Sequence, residues 1–250
     1  MTRSHLFADD PLVSRSMLSS RHEHRFPDVQ ALTRALAGEI RVDLAEAITA
    51  RGSASLIVSG GTTPVPLFLQ LSSESLTWEQ VWIGLTDERW VEATDEKSNE
   101  RLARDRLLTG NASQAHFVGL KNPAATPESG VEWAWRAMTR LPRPYDVVVL
   151  GMGSDGHFAS LVPNSLSLAR ALDVDAAPAC VAMHSLAAPH SRISQNLSAL
   201  LDARRIVLMI VGEDKWSVYQ RAKQAGSASE LPIRAVLNQQ RTPVDVYWSP

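Results

Sequence analysis

From Asp28 onward, apolar residues recur at three- and four-residue steps, at Val29, Leu32, Leu36, Ile40, Leu44 and Ile48. That spacing predicts a long helix with one apolar face, and Gly52 is placed to end it. The pattern then changes. Residues 55–58 form a short unbroken apolar run, followed by the polar turn Ser59-Gly60-Gly61-Thr62-Thr63 and by Pro64, which opens a helical stretch through Leu71. The same grammar returns further on: 81–85 predicts a strand, 99–108 and 128–141 predict helices, and 145–150 predicts a fully apolar strand. Beyond a loop-rich middle, 179–183, 205–211 and 244–248 predict further strands, with a helix over 213–225.

Apolar runs without polar alternation belong to strands covered on both faces, so the expectation is an α/β fold: a Rossmann-like, doubly wound, mostly parallel sheet with helices on both faces. With no repeat and no Pro/Ser-rich linker, 25–250 reads as a single domain, and 1–24, which lacks sustained periodicity, as a flexible tail. Hydrophobic residues make up 44% of the chain and charged ones 21%, so a packed core needs no metal or disulfide to hold it. The single cysteine, Cys180, has no internal partner, and its apolar flanks mark it as a packing residue. A net charge of −2 with interspersed signs leaves no electrostatic footprint for nucleic acid or a membrane surface. No apolar run reaches the length of a membrane span, so a cytoplasmic protein acting on a small molecule is expected.

In open α/β sheets ligands bind beyond the carboxyl ends of the strands. Three segments occupy such positions. The turn 59–64 has two glycines that let backbone approach a ligand, and a helix start behind it. It reads either as a phosphate cradle or as a tight turn with Ser/Thr caps. No Walker lysine follows. The cluster Thr86-Asp87-Glu88-Arg89-Trp90 offers an arginine that can grip a phosphate, or else a solvated set of charges paired among themselves. The third segment, Gly151-Met152-Gly153-Ser154-Asp155-Gly156-His157, fits G-x-G-x-x-G, yet Pro163 breaks the helix that a dinucleotide fingerprint requires. Its glycines instead form a turn presenting Asp155 and His157, a carboxylate able to orient an imidazole that accepts a proton near neutral pH. His116, His184 and His190 show no metal-ligand spacing. No metal site is implied.

The ordered set 59–64, 87–91 with Ser98-Asn99, 151–163, Arg192-Ile193-Ser194, 212–215 and Leu231-Pro232-Ile233 resembles the 6-phosphogluconolactonase family. The resemblance implies the fold shared with glucosamine-6-phosphate deaminases and ribose-5-phosphate isomerases. It implies hydrolysis of 6-phospho-D-glucono-1,5-lactone in the oxidative pentose phosphate pathway, without a cofactor. His157 is then the general base and Asp155 its orienting partner. Ser59, Gly60, Gly61, Thr62, Thr63, Asp87, Arg89, Asn99, Gly153, Arg192 and Lys215 hold phosphate and substrate. Deaminases complete a ring-opening triad with a glutamate where this chain has Val162. The alternatives are a deaminase-like isomerase and a non-catalytic sugar-phosphate sensor; oligomeric state is left open.

Overall fold

The computed structural model describes residues 22–184 and 190–250. A seven-stranded sheet has the order β1-β10-β9-β6-β2-β3-β5, with every neighbouring pair parallel. Its strands are β1 (His22–Arg25), β2 (Ala54–Val58), β3 (Val81–Leu85), β5 (His116–Val118), β6 (Tyr145–Gly151), β9 (Ala203–Val211) and β10 (Val244–Ser249). A second sheet has the order β4-β8-β7, built antiparallel from β4 (Asp87–Arg89), β7 (Cys180–Met183) and β8 (Arg192–Gln195). The helices are α1 (Val29–Arg51), α2 (Val65–Ser73), α3 (Asn99–Arg106), α4 (Pro127–Met138), α5 (Leu168–Ala171), α6 (Leu197–Leu201), α7 (Glu213–Ala222) and α8 (Ile233–Asn238).

Local chemistry accounts for the element ends. Asp28 caps α1 by accepting from the Ala31 N–H at 2.7 Å. Gly52 closes the helix at φ 77°, a left-handed conformation that a side chain would oppose, and its N–H reaches Ile48 O at 2.8 Å. Between these caps Leu32, Leu36, Ile40 and Leu44 of the predicted face are fully buried, and Val29 and Ile48 at its ends are half-buried. Every residue of β2 is buried, so both faces of the sheet centre are covered, the requirement behind its unalternating sequence. Among the described residues no helix is long and apolar enough to cross a membrane.

Two expectations change. His22, Glu23 and His24, read as tail, form β1 and pair with Asp245, Val246 and Tyr247 of β10; residues 1–21 lie outside the described residues. Four residues of polar sequence carry no strand signal, and their order comes from the edge that β10 offers. The predicted strand 179–183 exists as β7, but it pairs with β8 in the small sheet rather than joining the parallel one. A short apolar run specifies burial, not its partner. Cys180 is buried there, its thiol pushed up to about 12 by desolvation against the opposing charge of Arg143, consistent with a packing role.

The winding direction reverses at one place. From β2 the chain steps to β3 and β5 on one side, then returns to lay β6 on the other. The loops after β2 and β6 therefore flank the topological switch point, where such sheets open a crevice. At Thr86 the chain leaves β3 for the small sheet: its N–H bonds Val58 O at 3.0 Å and its carbonyl accepts from Gln195 N–H at 2.9 Å. This junction carries Asp87, Glu88 and Arg89 to the mouth of that crevice.

Candidate active site

A cleft of about 220 Å³ lies at the switch point, and residues from all three predicted segments line it. The turn after β2 contributes Ser59, Gly60, Gly61, Thr62 and Thr63; β4 and α3 contribute Asp87, Arg89 and Asn99; the loop after β6 contributes Gly153 and His157; Arg192 and Lys215 complete it. Asp155 stands just behind His157. Gly151, Met152 and Ala159 also line the cleft, and sequence reasoning passed over them because they carry no functional group.

The imidazole is oriented. Asp155 Oδ1 lies 2.6 Å from His157 Nδ1 and accepts from the His157 backbone N–H at 3.1 Å. An ionised carboxylate can only accept, so the ring proton sits on Nδ1 and Nε2 keeps its lone pair. Burial raises the Asp155 pKa, but the hydrogen bonds and charge of His157 outweigh it and hold the carboxyl below the usual aspartate range. The loop leaves little freedom: Gly153 N–H bonds His157 O at 2.9 Å, and Gly156, at φ 76°, accepts from Ile233 N–H at 2.8 Å. A Cβ on Gly156 would lie 2.7 Å from Leu231 Cδ2, so the Leu231-Pro232-Ile233 block supports the histidine loop from behind.

A Cβ on Gly153 would lie 2.6 Å from Asp155 Oδ1 and closer still to the His157 ring. Gly153→Ala is expected to lower kcat by about 10²-fold through displacement of the pair, with KM nearly unchanged; steady-state kinetics decide it. A depressed carboxyl contributes stability that is complete above the unfolded pKa and disappears as pH falls through the folded one. Wild type should therefore exceed Asp155→Asn in unfolding free energy at neutral pH, with the gap closing in acid. Urea titrations at several pH values measure it.

The other wall is cationic. Arg89 and Arg192 face each other across the β4/β8 ladder, a register in which like charges repel. The Nε of each is buried without a hydrogen-bond partner, although Arg89 also donates to Lys97 O at 2.6 Å. Desolvation holds the Arg192 guanidinium below its usual pKa; Asp87 and Asp155 oppose this and Arg89 reinforces it. Burial likewise lowers Lys215, whose Nζ donates to Thr63 Oγ1 at 3.1 Å. Among the described residues no carboxylate lies within ion-pair distance of Arg89, Arg192 or Lys215. Converging, partly desolvated and unpaired cations beside the N-terminus of α2 suit a doubly charged anion.

Some predicted ligand contacts are internal instead. Ser59 donates to Val149 O at 3.0 Å, tying β2 to β6, so its hydroxyl proton is committed. Asp87 accepts from Thr86 Oγ1 at 2.8 Å and Ser160 Oγ at 2.5 Å, and Asn99 Nδ2 donates to Asp87 O at 2.8 Å. The picture of a solvated charge cluster at 87–89 does not hold, since Asp87 and Glu88 are buried.

The sequence profile described as glucosamine-6-phosphate isomerases/6-phosphogluconolactonase matches residues 27–248. The chain belongs to this family. Two isomerase/lactonase relatives, both 6-phosphogluconolactonases, are similar over most of their length. That of Rhizobium meliloti is 42% identical over 231 residues, covering 92% of this chain and 100% of the relative. That of Pseudomonas putida is 40% identical over 227 residues, covering 91% and 92%. The crystal structure of a 6-phosphogluconolactonase from Shewanella baltica matches with a TM-score of 0.89 at 49% identity, covering 94% of this chain and 100% of that one. Val162, the position at which the sequence resemblance sets the deaminases apart, is buried and does not line the cleft.

Proposed function

We propose that this chain hydrolyses 6-phospho-D-glucono-1,5-lactone to 6-phosphogluconate, with His157 as general base. The observation that carries the reading is the pairing, in one cleft, of an oriented imidazole with unpaired cations at a helix N-terminus. The phosphate is held by the backbone of the Gly60-Gly61 turn, the hydroxyls of Thr62 and Thr63, and the cations Lys215, Arg89 and Arg192. Anchored there, the lactone presents its C1 carbonyl near His157.

His157 Nε2 takes a proton as water adds to C1, forming a tetrahedral oxyanion, while Asp155 stabilises the imidazolium. Collapse breaks the bond between C1 and the ring oxygen, and the imidazolium returns its proton to that leaving oxygen. The new carboxylic acid loses its proton to solvent, so His157 ends neutral and one water has been consumed. The arginines sit in a partly dry cleft where they stabilise the anionic intermediate and the extra negative charge of the product.

The reaction calls for no cofactor, nucleic acid or membrane, and we assign it to the cytoplasm. Val162 argues against the deaminase alternative, because no carboxylate stands there to complete its triad. A sensor would have no use for the Asp155–His157 pair. A pH-stat assay with freshly prepared lactone, corrected for spontaneous hydrolysis and run beside ammonia release from glucosamine 6-phosphate, tests all three. Acid release above background with no ammonia is expected; ammonia release, or no increment with either substrate, overturns the reading.

A further inference from the structure

Glu88 takes no part in the chemistry above, yet it is the most heavily engaged carboxylate beside the cleft. Its side chain is fully buried. Oε1 accepts from the backbone N–H of Arg89 at 2.7 Å and of Asn99 at 2.7 Å; Oε2 accepts from Glu100 N–H at 2.7 Å and Ser98 Oγ at 3.0 Å. Ser98 is the N-cap of α3 and accepts from Arg101 N–H at 3.1 Å. One carboxylate thus gathers the start of α3 and the backbone of β4. Among the described residues no basic side chain bonds it, and what it satisfies is the set of N–H groups that a helix start leaves open.

What it gathers reaches the anion cradle on two sides. Arg89, anchored through its N–H, lines the cleft. Asn99, anchored likewise, is 2% exposed, and its Nδ2 is fixed on Asp87 O. Its Oδ1 is buried with no hydrogen-bond partner, and the amide lies hard against Gly60: a Cβ there would be 2.7 Å from Nδ2 and nearer to the other amide atoms. The Asn99 amide is therefore a backstop for the glycine turn. We propose that Glu88 is a positioning residue for anion binding, setting the Gly60-Gly61 turn through Asn99 and the guanidinium of Arg89 through its own backbone. The inference rests on the reading of the cleft as a phosphate site.

In Glu88→Gln the amide nitrogen must face backbone or hydroxyl donors, leaving one or two of them buried and unsatisfied. Displacement of Asn99 and Arg89 loosens the cradle but leaves the Asp155–His157 pair, held by a different loop, in place. In the full-length protein, Glu88→Gln should raise KM for the lactone about tenfold or more and lower kcat less than about threefold. Inorganic phosphate, titrated calorimetrically, should weaken by a similar factor. Glu100→Gln is the control: that carboxylate pairs with Arg104 at 2.8 Å on the same helix, outside the cleft, so loss of stability there should leave KM unchanged.

Should Glu88→Gln not fold, Ser98→Ala removes one of the four donors and should move KM and phosphate affinity the same way by a smaller factor. Wild-type KM and phosphate affinity in whichever variant folds, at reduced Tm, would overturn the proposal and leave Glu88 as a helix cap alone. The phosphate titration separates this outcome from failure of the lactonase reading: weakened phosphate binding in a protein that opens no lactone keeps the positioning role and removes the activity.

Discussion

Replacing His157 by Ala is expected to cut kcat by about 10²- to 10⁴-fold while 6-phosphogluconate binding changes little. The split follows from geometry. The imidazole contributes nothing to the cationic wall, and Nε2 is the lone-pair nitrogen that the Asp155 contact leaves available. Asp155→Asn should cost about tenfold or more in kcat, because an amide can donate to Nδ1 and drive the ring proton onto Nε2, the wrong tautomer for a base. Single-turnover assays of both variants, beside calorimetric titration with product, measure the two sides of the claim. Near-normal turnover in His157→Ala would remove the histidine from the mechanism.

Arg192→Met should weaken substrate and product binding by about 10²-fold and at the same time raise the folding stability by about 1 kcal/mol. These opposite signs are the point of the experiment. Arg192 faces Arg89 across the ladder, is partly desolvated, and keeps a buried Nε without a partner. The charges of Asp87 and Asp155 offset those costs only in part, and among the described residues no carboxylate lies within ion-pair distance, so an apolar side chain of similar length should relieve them. Only a bound anion satisfies both arginines, and inorganic phosphate should accordingly raise the Tm of wild type far more than that of the variant. A variant that is less stable and binds product normally would mean that Arg192 is a structural residue.

The hydrophobic pattern was enough for the architecture's backbone. The 3–4 spacing from Val29 to Ile48 became α1, and the unalternating runs 55–58, 81–85, 145–150 and 205–211 became β2, β3, β6 and β9 of the parallel sheet. Glycine turns just after two of those strands located the cleft, because crevice position in an α/β sheet follows from strand direction and order. Short elements escaped. The polar β1, the three-residue β4 and β5, and the four-residue β8, buried at three successive positions, have too few residues for any period to register.

Residue type and order along the chain sufficed to single out His157, Asp155, the Gly60-Gly61 turn and Arg89 as candidates, because each chemistry needs a particular functional group at a strand end; Arg192 and Lys215 came only with the family resemblance. Which of these groups are free to act was a tertiary matter. Ser59 and Asn99 look like ligand donors in the sequence, and Ser59 spends its hydroxyl hydrogen, Asn99 one of its two amide hydrogens, on backbone carbonyls of other segments. Glu88 looks like one more surface charge, and it is buried beneath four donors from two elements. A hydrogen bond has one donor and one acceptor, and its assignment depends on which strands and helices meet. That meeting is set by packing across residues far apart in the chain, information no local window carries.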